Sequence, residues 1–264
     1  LLSPEAAADL VDTLDLHVAV DAVRLLPPRA VANMVEALES DRAAELLREL
    51  TPAEREGILS LVSPDQASLL RTLLDWPDES VAAHMVPEVH TVSDQVSAAE
   101  AIEQVRNHRA KLRQDSHIGA YVFAVDATNR LLGVVSFREL VLADADRPVR
   151  DLVEEDVITV GPLVDQEEAA RTLTKHRLLA IPVVDEDNHL LGVLTADDAS
   201  DIAEEEATED AERQGGSEPL EVPYLRASPF LLWKKRIVWL LVLFIAAAYT
   251  GTVMQAFEDE LEAV

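Results

Sequence analysis

One unit of sequence occurs twice, and it constrains the fold more than any other feature. The run Leu131-Leu132-Gly133-Val134-Val135-Ser136-Phe137-Arg138-Glu139 returns, 59 positions on, as Leu190-Leu191-Gly192-Val193-Leu194-Thr195-Ala196-Asp197-Asp198. Ahead of each copy stands an apolar run, Tyr121 to Val125 and Ile181 to Val184, then a polar turn, Asp126 to Arg130 and Asp185 to Asn188. Short β-branched runs separated by Asp/Asn-rich turns are strands of a hairpin. Helical spacing from Ala98 to Asn107 and from Asp165 to His176 places an amphipathic helix before each hairpin, with 109–119 as extra length in the first copy. A chain with this duplication is expected to fold as a paired α/β core.

A second repeat precedes it. Leu2, Leu14, Leu26, Leu38, Leu50 and Val62 open successive twelve-residue units, with Pro4, Pro28, Pro52 and Pro64 two places later. Apolar residues fall at helical spacing within each unit, so each is a short helix. Ser3-Pro4, Thr51-Pro52-Ala53-Glu54 and Ser63-Pro64-Asp65-Gln66 supply N-caps, and the last two supply a capping-box acceptor. Such units bury their faces only against neighbours, which makes an all-α superhelical domain suited to contact rather than chemistry.

Charge is the next constraint. Against 22 Lys+Arg stand 50 Asp+Glu, a formal charge of -28, so phosphate backbones are repelled and nucleic-acid binding is excluded. The absence of Cys removes disulfides, thiolate metal sites and a cysteine nucleophile. Seven scattered histidines include no pair four residues apart, and no Walker-type loop, nucleophile elbow or catalytic carboxylate pair is present, so no enzyme is expected. Acids concentrate after the second copy, at Asp201, Glu204, Glu205, Glu206, Glu209, Asp210 and Glu212, in a helical composition ending at Gly215-Gly216. The excess has two readings, adaptation to salt or a surface that collects hard divalent cations. Prolines 219, 223 and 229 then mark a linker.

Ile237 to Met254 carries no charge, with Lys234-Lys235-Arg236 before it and Glu258, Asp259, Glu260 and Glu262 after it. That is the pattern of a membrane span with its cationic side in the cytoplasm. The chain opens on Leu1 without a Met, and its true N-terminus is expected to be missing. The expected divisions are a helical domain at 1–83, α/β copies at 84–146 and 147–200, an acidic connecting helix at 201–216, a linker at 217–229 and one transmembrane helix at 230–257.

The duplicated β-α-β-β-α unit, with LLGVVSFREL and LLGVLTADDA at its ends, resembles a tandem pair of CBS domains, a regulatory fold that often binds adenine nucleotides. A helical superhelix, this pair, an acidic helix and then SPFLLWKKRIVWLLVLFIAAAYTGTVMQAFEDELEAV together resemble the MgtE-type magnesium channel over essentially the whole chain. The resemblance implies an inner-membrane protein, a homodimer through its CBS domains, with residues 1–230 cytoplasmic and further C-terminal spans missing here. It implies Mg²⁺ as transported and regulatory ion, and ATP as a second ligand. In such a sensor Mg²⁺ joins acidic surfaces that otherwise repel, and the compact form closes the pore.

Carried over position by position, the resemblance implies metal ligands at Asp198, Asp201, Glu206, Glu209 and Asp210 on the acidic "plug" helix, with Asp165 and Glu167 in the second copy. It implies nucleotide contacts at Tyr121, Arg138 and Glu139. Plain structural roles compete: Asp165 with Glu168, Thr195 with Asp198 and Ser136 with Glu139 each have capping-box spacing. Arg29 and Asn33 stand where the family's acidic helical-domain partners are expected, and Arg177 replaces another acid. An arginine there would make the contact to the acidic helix a salt bridge. A membrane-tethered nucleotide sensor acting on another protein is the alternative function.

Overall fold

In a computed structural model the chain is described at residues 3–107, 121–214, 237 and 240–254. The twelve-residue repeat becomes α1 (Pro4–Asp12), α2 (Leu16–Arg24), α3 (Pro28–Val35), α4 (Ser40–Arg48), α5 (Pro52–Leu59) and α6 (Pro64–Leu74). The repeated prolines occupy the first turn of α1, α3, α5 and α6, where no backbone N–H is needed for the helix. Alternate helices touch, α1 with α3, α3 with α5, α2 with α4 and α4 with α6, so no unit has a core of its own. Thr51 and Glu54 form the expected reciprocal cap. The box expected from Ser63 to Gln66 does not form: Gln66 faces α4 and donates to Ser40 Oγ at 3.0 Å, while Ser63 N–H donates to Glu36 Oε1 at 2.7 Å.

The first α/β copy comprises β1 (Thr91–Ser93), α7 (Ala98–Asn107), β2 (Tyr121–Val125), β3 (Leu131–Ser136) and α8 (Phe137–Leu142). The second comprises α9 (Gln166–His176), β4 (Ala180–Val184), β5 (Leu190–Thr195) and α10 (Ala196–Gln214). β1 runs parallel to β2, and β2 antiparallel to β3. β4 and β5 repeat the hairpin, and a parallel bridge from Val160 to Val183 takes the place of β1.

Each copy borrows an edge from the segment that precedes the other. Val86 bridges to Val193 on β5, and Glu154 bridges to Val134 on β3. These crossings require glycine, because a Cβ at Gly133 would lie 2.3 Å from the Glu154 carbonyl oxygen and one at Gly192 would lie 2.7 Å from that of Val86. The hairpin tips also exchange bonds. Asn129 and Asn188, both left-handed (φ 64° and 65°), donate their Nδ2 to the carbonyls of Leu190 (3.0 Å) and Leu131 (2.7 Å). Phe123, Val125, Leu131, Val184, Leu190 and Val193 pack beneath these tips.

The two copies differ in their remaining burial. The first encloses its own core of Val92, Ala101, Val122, Val135, Leu140 and Val149. The second, through Ala169, Leu173, Ile181, Leu194, Ala199 and Ile202, shares one continuous core with the helical domain.

Residues 1–203 make one compact unit and 204–264 a second. The acidic helix begins at Ala196 inside the second copy and is helical to Gln214, while Gly215 and Gly216 lie outside the described residues. Of the span expected over 230–257, a helix is described at 240–254, 15 residues with exposed Phe244 and Tyr249 among its side chains. At 1.5 Å per residue it covers about 22 Å, short of the roughly 30 Å of a hydrocarbon core. Among the described residues no helix is long and apolar enough to cross a membrane. The flanks that decide the span's length, 230–236 and 255–257, lie outside them.

Candidate functional site

The N-terminus of α10 shares the core of the helical domain, and two carboxylates sit there, Asp41 buried and Asp198 half-buried. Thr195 caps α10: its Oγ1 donates to Asp198 Oδ2, and its own Oγ1 accepts the Asp198 N–H at 3.4 Å. The Thr195 N–H also donates to Asp198 Oδ2 at 3.3 Å, completing the capping box expected from the spacing. Asp198 is therefore structural, yet it is not an ordinary cap. Burial pushes its pKa up to about 6 against the opposing Thr195 bonds, and the neighbouring charges of Asp197 and Asp201 push the same way.

Opposite stands Asp41, in the first turn of α4. It is buried, and its Oδ1 has no hydrogen-bond partner among the described residues. Burial raises its pKa well above the carboxylate range, the charge of Asp198 adds to the rise, Glu39 adds further, and only the N–H groups of Asp41 and Arg42 oppose it. The adjacent Arg42 turns away, pairing with Glu45 and donating to the Leu14 carbonyl at 2.6 Å. Beside Asp41, Ser40 is also buried, donating to Glu88 Oε1 and accepting from Gln66. Two carboxylates stand close enough to repel, and neither forms an ion pair among the described residues, so ionising both costs free energy.

This geometry corrects the expectation for the helical domain. Arg29 and Asn33 lie exposed on α3, and Arg29 forms no ion pair among the described residues. Asp41 and Glu45 occupy the same positions one twelve-residue unit later. The repeat makes neighbouring units interchangeable in sequence, and only the charge interaction of Asp41 with Asp198 reveals that α4 stands beside the start of α10. The salt bridge expected from Arg29 is thus replaced by an acid facing an acid.

The remaining expected metal residues are dispersed. Asp201 is exposed on α10 one turn beyond Asp198, and Glu206 is half-buried. The side chains of Glu209 and Asp210 lie outside the described residues. Asp165 is the N-cap of α9, its Oδ1 accepting the N–H groups of Glu167 (2.9 Å) and Glu168 (3.4 Å), and Glu167 is paired with Arg171. Arg177 ends α9 in a left-handed conformation (φ 55°). Among the described residues no group of three or more His or acidic side chains is gathered for a metal.

The first copy places its expected nucleotide residues together. Tyr121, at the start of β2, is in register with Ser136 at the end of β3, and Arg138 and Glu139 follow in the first turn of α8. The capping box expected from Ser136 to Glu139 is absent, since Ser136 makes no side-chain cap. Arg138 and Glu139 are exposed, and their side chains make no hydrogen bond or ion pair among the described residues.

Known proteins match this layout. Residues 1–79 match the family model of the MgtE intracellular N domain, and 80–146 and 149–205 match that of the CBS domain. The magnesium transporter MgtE of Thermus thermophilus is 32% identical over 204 residues, which is 77% of this chain and 44% of that protein. The crystal structure of the soluble part of a magnesium transporter superposes with a TM-score of 0.71 at 33% identity, covering 78% of this chain and 80% of that one. The cytosolic domain of the Mg²⁺ channel MgtE in complex with ATP gives a TM-score of 0.71 at 28% identity, over 76% and 81% of the two chains. Matches to inosine-5'-monophosphate dehydrogenases extend over no more than 43% of the chain and concern the CBS domains alone. The relatives that share both the helical domain and the pair are transporters, not enzymes. The chain spans less than half the length of those curated relatives.

Proposed function

The chain belongs to the MgtE family of magnesium transporters, and from that premise we propose that it is the Mg²⁺-sensing, gating region of an MgtE-type channel, with the first membrane span at 230–257. The observation that carries this reading is the buried, unpartnered Oδ1 of Asp41 facing Asp198. Oxygen donors at a domain seam suit Mg²⁺, which keeps several waters and takes one or two carboxylates from protein. Asp41 and Asp198 would hold the ion, whose two charges remove the repulsion between them. Asp201, Glu206, Glu209 and Asp210 continue the acidic surface along α10.

The consequences follow from what each residue carries. Asp41 is rooted in the helical domain, and Asp198 in the helix that precedes the apolar segment in sequence. When the carboxylates are neutralised, the two elements stay joined and α10 is held; when both are charged, the seam is strained and α10 is released. The held form is the closed state of the channel. ATP is the second ligand, held in the first copy by Tyr121, Arg138 and Glu139, a reading supported by their proximity in the fold and by the unengaged side chains of the last two. The protein works as a homodimer through its CBS domains in the inner membrane, with 1–230 cytoplasmic. Exposed Val141 and Leu142 on α8 and exposed Leu163 support such a contact.

Limited proteolysis of the full chain tests the proposal. Millimolar Mg²⁺ should protect α10 relative to chelator, Na⁺ of equal ionic strength should not, and Asp41→Asn should abolish the Mg²⁺ increment. Equal protection by Mg²⁺ and Na⁺ would favour salt adaptation and overturn the sensor.

A further inference from the structure

Helix α4 is attached to the second CBS domain at both ends, and the two attachments differ in kind. Its first turn carries Asp41; its last residue, Arg48, lies about 10 Å away along the axis. Arg48 is 12% exposed and is held by two hydrogen bonds and one ion pair: Nη2 donates to the Leu73 carbonyl at 2.6 Å, Nη1 donates to that of Ala83 at 3.0 Å, and Nε, which makes no hydrogen bond among the described residues, lies 3.0 Å from the exposed Asp78 carboxylate. Leu73 is in α6. Asp78 and Ala83 belong to the segment that leaves the helical domain.

That segment is built into the second CBS domain. Val81 N–H donates to the Val164 carbonyl (2.8 Å), and Ala82 N–H to that of Pro162 (3.2 Å). Gln166 N–H donates to the Glu79 carbonyl (2.9 Å), while Val86 and Val193 exchange both backbone bonds at 2.8 and 2.9 Å. Val81, Ala82 and Ala83 are buried, and His84 Nε2 closes the loop on the Asp78 carbonyl at 2.8 Å. The strap of residues 79–86 therefore belongs mechanically to the second domain, although in sequence it precedes the first.

We infer that Arg48 is the positioning residue of the sensor: its three-way grip fixes the strap as a pivot, and the Mg²⁺-dependent movement is confined to the Asp41–Asp198 end of α4. The inference rests on the sensor reading for its moving end and on the Arg48 geometry for its fixed end. A guanidinium suits this role, because a planar fork satisfies two carbonyls from different elements at once and stays charged. Lysine would keep the charge beside Asp78 but could not span Leu73 and Ala83 together. The Asp41 end is held differently: Ser40 donates a single bond to Glu88, and Asp41 opposes the like charge of Asp198.

The absence of Cys lets paired spin labels be introduced at chosen sites in the full chain. One pair, Asp75→Cys with Glu168→Cys, spans the pivot; the other, Asp12→Cys with Ser200→Cys, reports the helical domain against α10. All four positions are exposed. Chelation of Mg²⁺ should broaden the second distance distribution and leave the first sharp, and Arg48→Met should broaden the first with or without Mg²⁺. Arg48→Lys, a milder change, should broaden the first to a smaller extent and keep the cooperative melt of the parent. Broadening of both pairs on chelation in the parent overturns the pivot, as does a sharp first distribution in both Arg48 variants. If neither parental pair responds to Mg²⁺ while Arg48→Met still broadens the first, the sensor reading falls and the grip of Arg48 stands.

Discussion

The two CBS copies begin from nearly the same sequence and end in different circumstances. In the first, Ser136 and Glu139 bound a turn at the protein surface and ignore each other. In the second, Thr195 is buried, its box with Asp198 is closed, and the helical domain covers the pair. The borrowed edges differ in the same way. Glu154, which closes the first copy, comes from the short link between copies, whereas Val86, which closes the second, arrives on the strap from the helical domain. Duplication thus yields one surface-facing turn and one domain-facing turn from one fold. Tertiary contact, not the local motif, decides which is which.

The largest break in this comparison should come from the glycines at the two crossings. Gly133→Ala drives a Cβ into the Glu154 carbonyl, and Gly192→Ala drives one into Val86 and Met85. Backbone cannot yield as a flexible side chain does, so each should cost about 3 kcal/mol or more. The consequences should diverge. Gly192→Ala loosens the strap and lowers the calorimetric transition that contains the helical domain, while Gly133→Ala should spare that transition to within about 1 kcal/mol. Equal lowering by both variants would show that the copies unfold as one and that the separate cores do not matter.

Much of this architecture is legible in sequence because its periods are strong. Helix starts at 4, 16, 28, 40, 52 and 64 follow the leucine repeat, and the hairpins follow from apolar runs around Asp126 and Asp185. The site is less legible, and for identifiable reasons. Asp41 in a first helical turn reads as a partner for the helix dipole, and a twelve-residue repeat hides a shift of one unit, so Arg29 and Asn33 align as readily as Asp41 and Glu45. One visible signal was the fourth unit itself, where Ser40 replaces the proline found at 4, 28, 52 and 64. Capping boxes were half legible: spacing is necessary, but Ser136 shows that it is not sufficient.

Asp41→Asn sharpens the comparison from the domain-facing side. In chelator it removes a buried carboxyl that must either hold a proton or oppose Asp198 as a charge, and should stabilise the helical domain on the second copy by about 1 to 3 kcal/mol. In millimolar Mg²⁺ the sign should reverse, because the parent gains binding free energy that the variant lacks. Acid should mimic part of this effect. Burial pushes Asp198 up to about 6 from its ordinary 3.8, so the folded state binds the extra proton and stability is greatest below the lower value and falls as pH rises through the higher. Metal-free protein should therefore gain about 1 kcal/mol from Asp198 on going from about pH 7.5 to about pH 5, with Asp41 acting in the same direction. Thermal melts across that range should show the slope, and Asp41→Asn should flatten it. A parent that loses stability on acidification over this window would contradict the facing pair.

The hairpin tips are where the copies should behave alike. Asn129 and Asn188 each hold a left-handed backbone and bond to the other's strand. Replacement by alanine imposes left-handed strain of roughly 1 to 2 kcal/mol and removes a bond worth about 1 kcal/mol. Asn129→Ala and Asn188→Ala should thus each cost about 2 kcal/mol in urea melts, and the glycine variants, which keep the backbone geometry, about half that. Costs that differ strongly between the two would break the symmetry that the exchanged bonds imply.

The smallest effects fall on the caps, where the comparison is sharpest in kind. Thr195→Val keeps the branched shape but deletes the hydroxyl that donates to Asp198 and accepts its N–H, a loss of about 1 kcal/mol in stability. Ser136→Ala deletes a hydroxyl that caps nothing and should fall within about 0.5 kcal/mol of the parent. The order inverts for ligand. If the surface-facing copy is the ATP site, Glu139→Ala should weaken ATP by about tenfold, the equivalent of 1.4 kcal/mol, with an unchanged melt. Thr195→Val should leave ATP affinity unaltered. Isothermal titration and thermal melts on the same three variants separate the outcomes, and a Thr195→Val that weakened ATP as much as Glu139→Ala would move the nucleotide to the second copy, where it would compete with the helical domain for Asp198.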